Sequence, residues 1–216
     1  MSFLFCAIFE GCGVLASDKM ILNSEGSFQV KDLKKFVRLK NLLYVGRSGN
    51  GNVSELMVAT ISGLVGVLDP DENLSMFDRK LKSFKEIFNP IYDNIPQEYR
   101  KTCDGGGQLM GCGWFEDRPI GFLVNYVPSQ NDFLTQTITA PRSIISSNPD
   151  ANAWMKRNLK RILIKSILGF GEYWTDDQMR KVCSRLYKEL CKHDKTVSSS
   201  GSLILLREKT TAELEF

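Results

Sequence analysis

The order of elements along the sequence predicts an α+β fold in which two antiparallel sheets lie between pairs of helices, a four-layer αββα sandwich. Three observations carry this prediction. The chain opens with an apolar hairpin, it contains two separate helical regions, and strand patterns lie between and after those regions. This order lacks the regular strand–helix alternation that is typical of a parallel sheet.

The first element is a hairpin of two buried strands. Residues 3–9 form an unbroken apolar run of strand length, the pattern of a strand that is covered on both faces. Gly11 and Gly13 supply the turn, and residues 14–18 continue as a second strand. The hairpin is therefore predicted to lie in the centre of its sheet.

Two short strands, a glycine-rich turn and an apolar helix follow. Residues 36–39 and 42–45 are the strand candidates, and the turn over residues 46–51 leads into a helix over residues 52–68 that an Asp-Pro pair ends. Apolar residues occupy nearly every side of this helix. It is therefore predicted to pack on a sheet and also against something else, with another subunit as the candidate.

The middle of the chain contains a second helix and a hairpin. Residues 74–88 carry apolar residues at helical spacing, and Pro90 is predicted to end this helix. Residues 108–115 and 120–127 show strand patterns, which predicts a hairpin joined by residues 116–119.

The C-terminal third is predicted to hold two helices and a strand. Residues 151–168 have one apolar side and one basic side. Such a basic face is most often solvated, although it also suits nucleic acid or an acidic partner. Thr175 with Gln178 three residues later forms a capping box at the start of the next helix. Residues 202–206 are the strand candidate that follows it.

The composition is that of a folded, near-neutral protein. The 216 residues are 43% hydrophobic and 25% charged, with a net charge of +3. This length predicts one domain over residues 1–216, and the small charge does not argue for a nucleic-acid partner. No apolar stretch reaches the roughly 20 residues that cross a bilayer, and the N-terminus lacks the positive start of a targeting signal. A cytoplasmic protein without a membrane partner is expected.

Six cysteines are spread along the chain without a CxxC pair. Their density is far below that of a disulfide-stabilised scaffold, so reduced and mostly buried thiols are expected. Helical spacing turns Cys183 and Cys191 toward the core. Cys191 with His193 is too small a ligand set for zinc, and neither a metal nor a cofactor is predicted.

A single histidine, His193, limits the catalytic chemistry. A Ser–His–Asp triad or a site with several histidine ligands would have to use this one residue. In an enzyme with this sequence, the catalytic base is expected to be a lysine, a carboxylate or the chain's own α-amine. The α-amine has a usual pKa of about 8, the nearest of the three to neutrality.

Four residues in the N-terminal part have a distinctive spacing. Ser2 opens the first strand, and Asp18 ends the second, sixteen residues later. Lys35 is the second of two adjacent lysines before a strand, and Gly49 follows fourteen residues after it. In this order and spacing, the chain resembles the proteasome β-subunit and HslV-type family. Lys34 stays an alternative to Lys35, because the step from Asp18 to Lys35 is one residue longer than in the family.

The resemblance implies the fold of an N-terminal-nucleophile (Ntn) hydrolase and a role for each of the four residues. Ser2 would be the nucleophile, with its own α-amine as the base once Met1 is removed. Lys35, held charged by Asp18, would favour the ionised hydroxyl. The Gly49 N–H would stabilise the oxyanion.

Two supporting residues are also suggested by the resemblance. In the family, a serine and an aspartate near a Ser-Gly pair steady the amino terminus. Ser147 is the candidate serine here. Asp194, which precedes the serine-rich residues 196–201, is the candidate aspartate.

The function that the resemblance implies is hydrolysis of peptide bonds in peptides or unfolded proteins, without a cofactor. It further implies a homo-oligomeric ring or barrel and an ATPase unfoldase as a partner. The alternative is a catalytically inactive subunit of the same fold with a role in assembly or binding. Amide hydrolysis of a small molecule would use the same residues, but it has no sequence feature of its own.

Overall fold

The chain forms an α+β fold with two five-stranded antiparallel sheets, a two-stranded ribbon and five α-helices among its described residues. The predicted α+β class with antiparallel sheets is confirmed. The computed structural model describes residues 3–22, 27–30, 35–40, 42–66, 74–101, 106–140, 142–146, 157–158, 175–208 and 210–216.

The first sheet has the strand order β10-β1-β2-β11-β12. The predicted hairpin supplies two of its three inner strands, and every residue of β2 is buried, so the central position of the hairpin is confirmed. The strands are β1 (Leu4–Phe9), β2 (Cys12–Asp18), β10 (Arg142–Ser146), β11 (Gly201–Leu206) and β12 (Thr211–Glu215).

The second sheet is a meander with the order β5-β6-β7-β8-β9. Its strand β6 extends through Gly49, where a turn over residues 46–51 was predicted, because this stretch pairs with β7 as far as Gly107. The strands are β5 (Phe36–Lys40), β6 (Leu43–Gly49), β7 (Gly107–Phe115), β8 (Arg118–Val127) and β9 (Asp132–Thr139). The separate ribbon pairs β3 (Met20–Leu22) with β4 (Phe28–Val30).

The turn between β7 and β8 is tighter than the four residues that were predicted. Glu116 and Asp117 have φ values of 47° and 63°. Positive φ at both central residues is the mark of a type I′ turn, whose twist matches that of the flanking strands. Arg118 and Pro119 therefore belong to β8, where Pro119 pairs with Trp114.

The helices of the middle region differ from the single helix predicted over residues 74–88. Two helices form there, with a break at Ser83, and Pro90 lies inside the second helix instead of ending it. The second helix continues only three residues beyond Pro90, and its buried Phe84 and Phe88 hold it against the core. The helices are α1 (Gly51–Gly66), α2 (Leu74–Lys82), α3 (Phe84–Asp93), α4 (Gln97–Arg100) and α5 (Asp176–Leu190).

Helix α1 is buried along one stripe only. Val53, Met57 and Ile61 are fully buried at helical spacing against β6, β7 and α3, whereas Val58 is half-buried and Ala59 is exposed. The predicted packing on a sheet and against a second element is thus met by β6, β7 and α3, although the buried residues of α1 lie on one side of the helix. The predicted contact with another subunit stays a prediction. The exposed side carries polar and small residues such as Glu55, Ala59 and Ser62, and the remaining apolar residues are half-buried at its edges.

Helix α5 begins as predicted. The Thr175 hydroxyl accepts a hydrogen bond from the Gln178 N–H, and the Gln178 side chain accepts one from the Thr175 N–H, which completes the capping box. Cys183 is fully buried as expected, and burial raises its pKa to about 12. Cys191 is only half-buried, contrary to the prediction, because it follows the last helical residue and leaves the packed face.

Three apolar clusters hold these elements together. The α5 cluster joins α5 to β1, β2 and β11, and the α1 cluster joins the first three helices to the second sheet. The shared cluster draws residues from both sheets. Along β1, Phe5 and Ala7 belong to the α5 cluster, whereas Leu4, Cys6 and Ile8 belong to the shared cluster, so both faces of the strand are covered.

The two sheets approach each other closely at Gly13. A Cβ atom on this residue of β2 would lie 2.3 Å from the Cys112 Sγ of β7. A larger residue would therefore force these strands apart. The helix predicted over residues 151–168, with its basic side, lies outside the described residues except for Arg157 and Asn158, which are helical.

Candidate active site

A buried ion pair between Asp18 and Lys35 is the centre of the candidate site. The Lys35 Nζ lies 3.0 Å from the Asp18 Oδ1, with exposed side-chain fractions of 6% for Lys35 and 0% for Asp18. The ammonium also donates to the Met20 carbonyl oxygen at 2.6 Å. Asp18 ends β2 and Lys35 directly precedes β5, so the pair joins the two large sheets.

The Asp18 carboxylate also binds three backbone N–H groups. Its Oδ1 accepts from the Phe3 N–H at 3.0 Å, and its Oδ2 accepts from Met20 at 3.1 Å and from Ser198 at 3.2 Å. These groups come from the start of β1, the start of β3 and the loop before β11. One carboxylate therefore fixes three chain segments beside Lys35.

The register of the first hairpin explains why Asp18 meets the beginning of the chain. Leu4 pairs with Ser17 in the antiparallel ladder, which places Phe3 opposite Asp18. The Asp18 N–H donates to the Phe3 carbonyl oxygen at 3.4 Å, which extends the ladder by one residue. The register of the hairpin thus fixes the separation of fifteen positions between Phe3 and Asp18.

Burial acts against both charges of the ion pair. It raises the pKa of Asp18, while the positive charge of Lys35 and the hydrogen bonds to the carboxylate oppose that shift. Burial likewise lowers the pKa of Lys35, against the attraction of Asp18. Removing two charges from water is costly, so a buried ion pair is weak evidence for stability. Perturbed pKa values of this origin are instead common in functional sites.

Gly49 lies at the junction between β6 and α1. Its φ is +88°, and a Cβ atom at this position would lie 2.3 Å from the Gly106 carbonyl oxygen. The next residue, Asn50, caps α1, because its side-chain oxygen accepts the N–H groups of Asn52 and Val53. Only glycine fits this position without moving the backbone.

The end of β6 is connected to Lys35 through the backbone. The Arg47 N–H, two residues before Gly49, donates to the Lys35 carbonyl oxygen at 3.3 Å. Lys35 and Gly49 therefore lie on neighbouring, paired segments of the second sheet. The other predicted residues of this region, Ser2 and Lys34, lie outside the described residues.

The structure describes one of the two predicted supporting residues, Asp194. Ser147 lies outside the described residues. Asp194 is buried and accepts hydrogen bonds from the Thr196 N–H at 2.8 Å and from the Thr196 hydroxyl at 2.6 Å. Asp194 thus stabilises the loop in which Ser198 donates its N–H to Asp18.

Two residues that contact this site were missed by the sequence reasoning. Ser198 donates its N–H to Asp18, and its hydroxyl accepts from the Lys19 N–H at 3.1 Å. Tyr187 packs its ring edge-on against Phe3 at 5.2 Å, and its hydroxyl is 3.5 Å from the Phe3 carbonyl oxygen. Ser198 is one of three adjacent serines, and Tyr187 has the spacing of an ordinary core residue, so neither is distinctive in the sequence.

The remaining observations concern metals, membranes and relatives. Among the described residues, no group of three or more His, Cys, Asp or Glu side chains is arranged to hold a metal ion. Within that same part of the chain, the helices are too short or too polar to cross a bilayer. No family model matches the sequence, and no curated protein is similar to it at a significant level.

Proposed function

We propose that the chain is an N-terminal-nucleophile hydrolase of the proteasome β-subunit and HslV type, which cleaves peptide bonds through Ser2 after removal of Met1. The observation that carries the proposal is the Asp18 carboxylate, which binds both the Phe3 N–H and the Lys35 ammonium at 3.0 Å. Ser2 is joined to the Phe3 nitrogen by its peptide bond. The proposed nucleophile is therefore bonded directly to a backbone nitrogen that the buried ion pair holds by a hydrogen bond.

In the proposed mechanism, the Ser2 hydroxyl is activated by its own α-amine. A serine hydroxyl is a weak nucleophile until a base accepts its proton, and a free amine on the same residue can do so. The Lys35 charge favours the ionised hydroxyl and keeps the neighbouring amine neutral by like-charge repulsion. Asp18 holds Lys35 in place and balances its charge.

The chemical steps then follow those of other acyl transfers. The Ser2 Oγ attacks the carbonyl carbon of the scissile bond, and its proton passes through the α-amine to the leaving nitrogen as the C–N bond breaks. The Gly49 N–H stabilises the oxyanion, an effect of about 3–4 kcal/mol per donor in comparable enzymes. Water then hydrolyses the Ser2 ester, with the α-amine accepting the proton of the water and returning one to the Oγ.

The proposed fold is the four-layer αββα sandwich, with residues 1–216 as one domain. The three apolar clusters support this arrangement. The shared cluster would be the interface between the two sheets, and the α5 and α1 clusters would be the interfaces between each sheet and its helices.

The proposed assembly is a homo-oligomeric ring or barrel in the cytoplasm that degrades peptides or unfolded proteins supplied by an ATPase unfoldase. Half-buried apolar residues at the edges of the packed side of α1 support an assembly. Leu56, Val58 and Leu64 on this helix are only partly covered within the chain. Contact with a second subunit would remove this apolar surface from water.

Covalent labelling of Ser2 tests the proposed function. We expect intact-mass measurement of the purified protein to show loss of Met1, and a β-lactone electrophile to add one mass increment per chain. Peptide mapping should place the adduct on Ser2, because the β-lactone is opened by the activated hydroxyl. Ser2→Ala should abolish labelling, and Ser62→Ala, which changes an exposed serine of α1, should leave it unchanged.

Two results would count against the hydrolase. Retention of Met1 in the native host would leave Ser2 without a free α-amine. Loss of Met1 without any adduct would instead favour the catalytically inactive subunit.

A further inference from the structure

A basic groove lies beside α5, on the part of the molecule where β12 ends. Its volume is about 770 Å³, within the range of ligand-binding clefts. Phe216 forms an apolar part of its lining, and Ser184 contributes a hydroxyl. The groove, called the α5 groove below, contains five cationic side chains: Lys19, Arg180, Lys181, Arg185 and Lys188.

The two carboxylates that line the α5 groove already have cationic partners. Glu215 pairs with Lys19 at 2.5 Å, and Glu189 pairs with Lys192 at 2.7 Å. Lys192 is not part of the lining, so the groove keeps an excess of positive charge.

The cationic side chains of α5 differ in whether they already form ion pairs. Arg180 and Lys181 share the Asp177 carboxylate, each at 2.6 Å. Arg185 and Lys188 are exposed and have no ion pair within the described part of the chain. These two side chains are therefore available to an anionic ligand.

The spacing of Lys181 and Arg185 along α5 is close to that of alternate residues in an extended peptide. At 1.5 Å per helical residue, Lys181 and Arg185 are about 6 Å apart along the axis, and Lys188 is about 4.5 Å further on. In an extended chain, every second side chain faces the same way at intervals of about 6.6 Å. Acidic residues at alternate positions would thus meet Arg185 and Lys181, whose exposed ion pair with Asp177 is weak enough to exchange for a peptide carboxylate. An apolar residue of the peptide would pack on Phe216, the apolar part of the lining.

We propose that the α5 groove binds an extended, acidic peptide segment of a partner protein, in which acidic and apolar residues alternate. A nucleic acid is a poorer match. A nucleic acid carries a phosphate on every nucleotide, so some phosphates would lie against Glu189 and Glu215, whereas a peptide can place its uncharged residues there. The net charge of +3 likewise gives no field that would attract a polyanion. This proposal does not depend on the proposed hydrolase activity.

Fluorescence polarisation with a labelled peptide of about six residues, alternating Glu and Val, tests the proposal. The Ser2→Ala chain is used for every measurement so that hydrolysis cannot consume the probe. Arg185→Glu should raise the Kd at least about tenfold, because it puts a like charge opposite the peptide carboxylates. Lys101→Glu, the same charge reversal at an exposed site after α4, should change the Kd less than about twofold.

Each alternative ligand of the α5 groove predicts a different result in these measurements. Equal binding of a Gln–Val peptide would show that the acidic groups are not recognised, and would overturn the proposal. So would tighter binding of a single-stranded oligonucleotide than of the peptide, or equal weakening by Lys101→Glu. A dimer that Arg185→Glu dissociates, seen by sedimentation without peptide, would assign the groove to a second copy of the chain and also overturn it.

Discussion

Replacing Lys35 with methionine is expected to lower the free energy of unfolding by about 3–5 kcal/mol, the cost of leaving one partner of a buried ion pair without the other. The Asp18 side chain is 0% exposed, so water cannot replace the lost ammonium. Peptide hydrolysis should fall about 10²–10⁴-fold, the usual contribution of a group that assists proton transfer. Urea denaturation and kcat/KM measure the two effects.

Two further variants distinguish the effect of losing the ion pair from the effect of any substitution in β5. Lys40→Met changes an exposed lysine of the same strand, β5, and should alter stability by less than about 0.5 kcal/mol. The double variant Asp18→Asn/Lys35→Met should lose less stability than the sum of the two single variants, because neither charge is then left unpaired. Additive losses, or a Lys35→Met protein as stable as the parent, would contradict the buried ion pair.

Gly49→Ala is expected to destabilise the protein by about 2–4 kcal/mol. A positive φ costs an alanine about 1–2 kcal/mol, and relief of the overlap with the Gly106 carbonyl oxygen requires a backbone shift of similar cost. That shift would also displace the Gly49 N–H. A misplacement of about 1 Å can lower a rate about 10²-fold, so hydrolysis should decrease by this order even where the protein stays folded.

The matched control for Gly49 is Gly51→Ala. A Cβ atom at Gly51 meets no other atom within 4 Å, and its φ is not positive. Alanine there should leave the free energy of unfolding unchanged or raise it by about 0.5–1 kcal/mol, since it reduces the freedom of the unfolded chain. Equal destabilisation by both substitutions would show that the strained position of Gly49 is not the cause.

Much of the fold could be predicted from local patterns. The apolar run of β1 requires cover on both faces, and β1 indeed contributes to two apolar clusters. The capping box before α5 has a direct chemical signature, so the start of that helix was correctly placed. Asp18 and Lys35 were singled out only by resemblance, because they are seventeen positions apart and no local pattern relates them. The structure joins them by an ion pair.

Other features depend on contacts that a local pattern does not encode. Strand β9 has mixed exposure and β12 is an edge strand, so neither shows a strong apolar alternation, and both were missed. Pro90 was expected to end a helix, but packing of Phe88 against β8 and β9 keeps the helix intact around it. Ser198 could not be distinguished from the serines beside it, since its role is a backbone hydrogen bond to Asp18.

Hydrolysis before and after release of the Ser2 α-amine distinguishes an N-terminal nucleophile from any other catalytic group. The protein is produced with a removable fusion partner joined to Ser2, so that specific cleavage makes Ser2 the first residue. We predict no turnover of a fluorogenic peptide by the fusion, and turnover after cleavage that Ser2→Ala abolishes. Equal turnover before and after cleavage, or none after it in a correctly folded protein, would contradict an N-terminal-nucleophile mechanism.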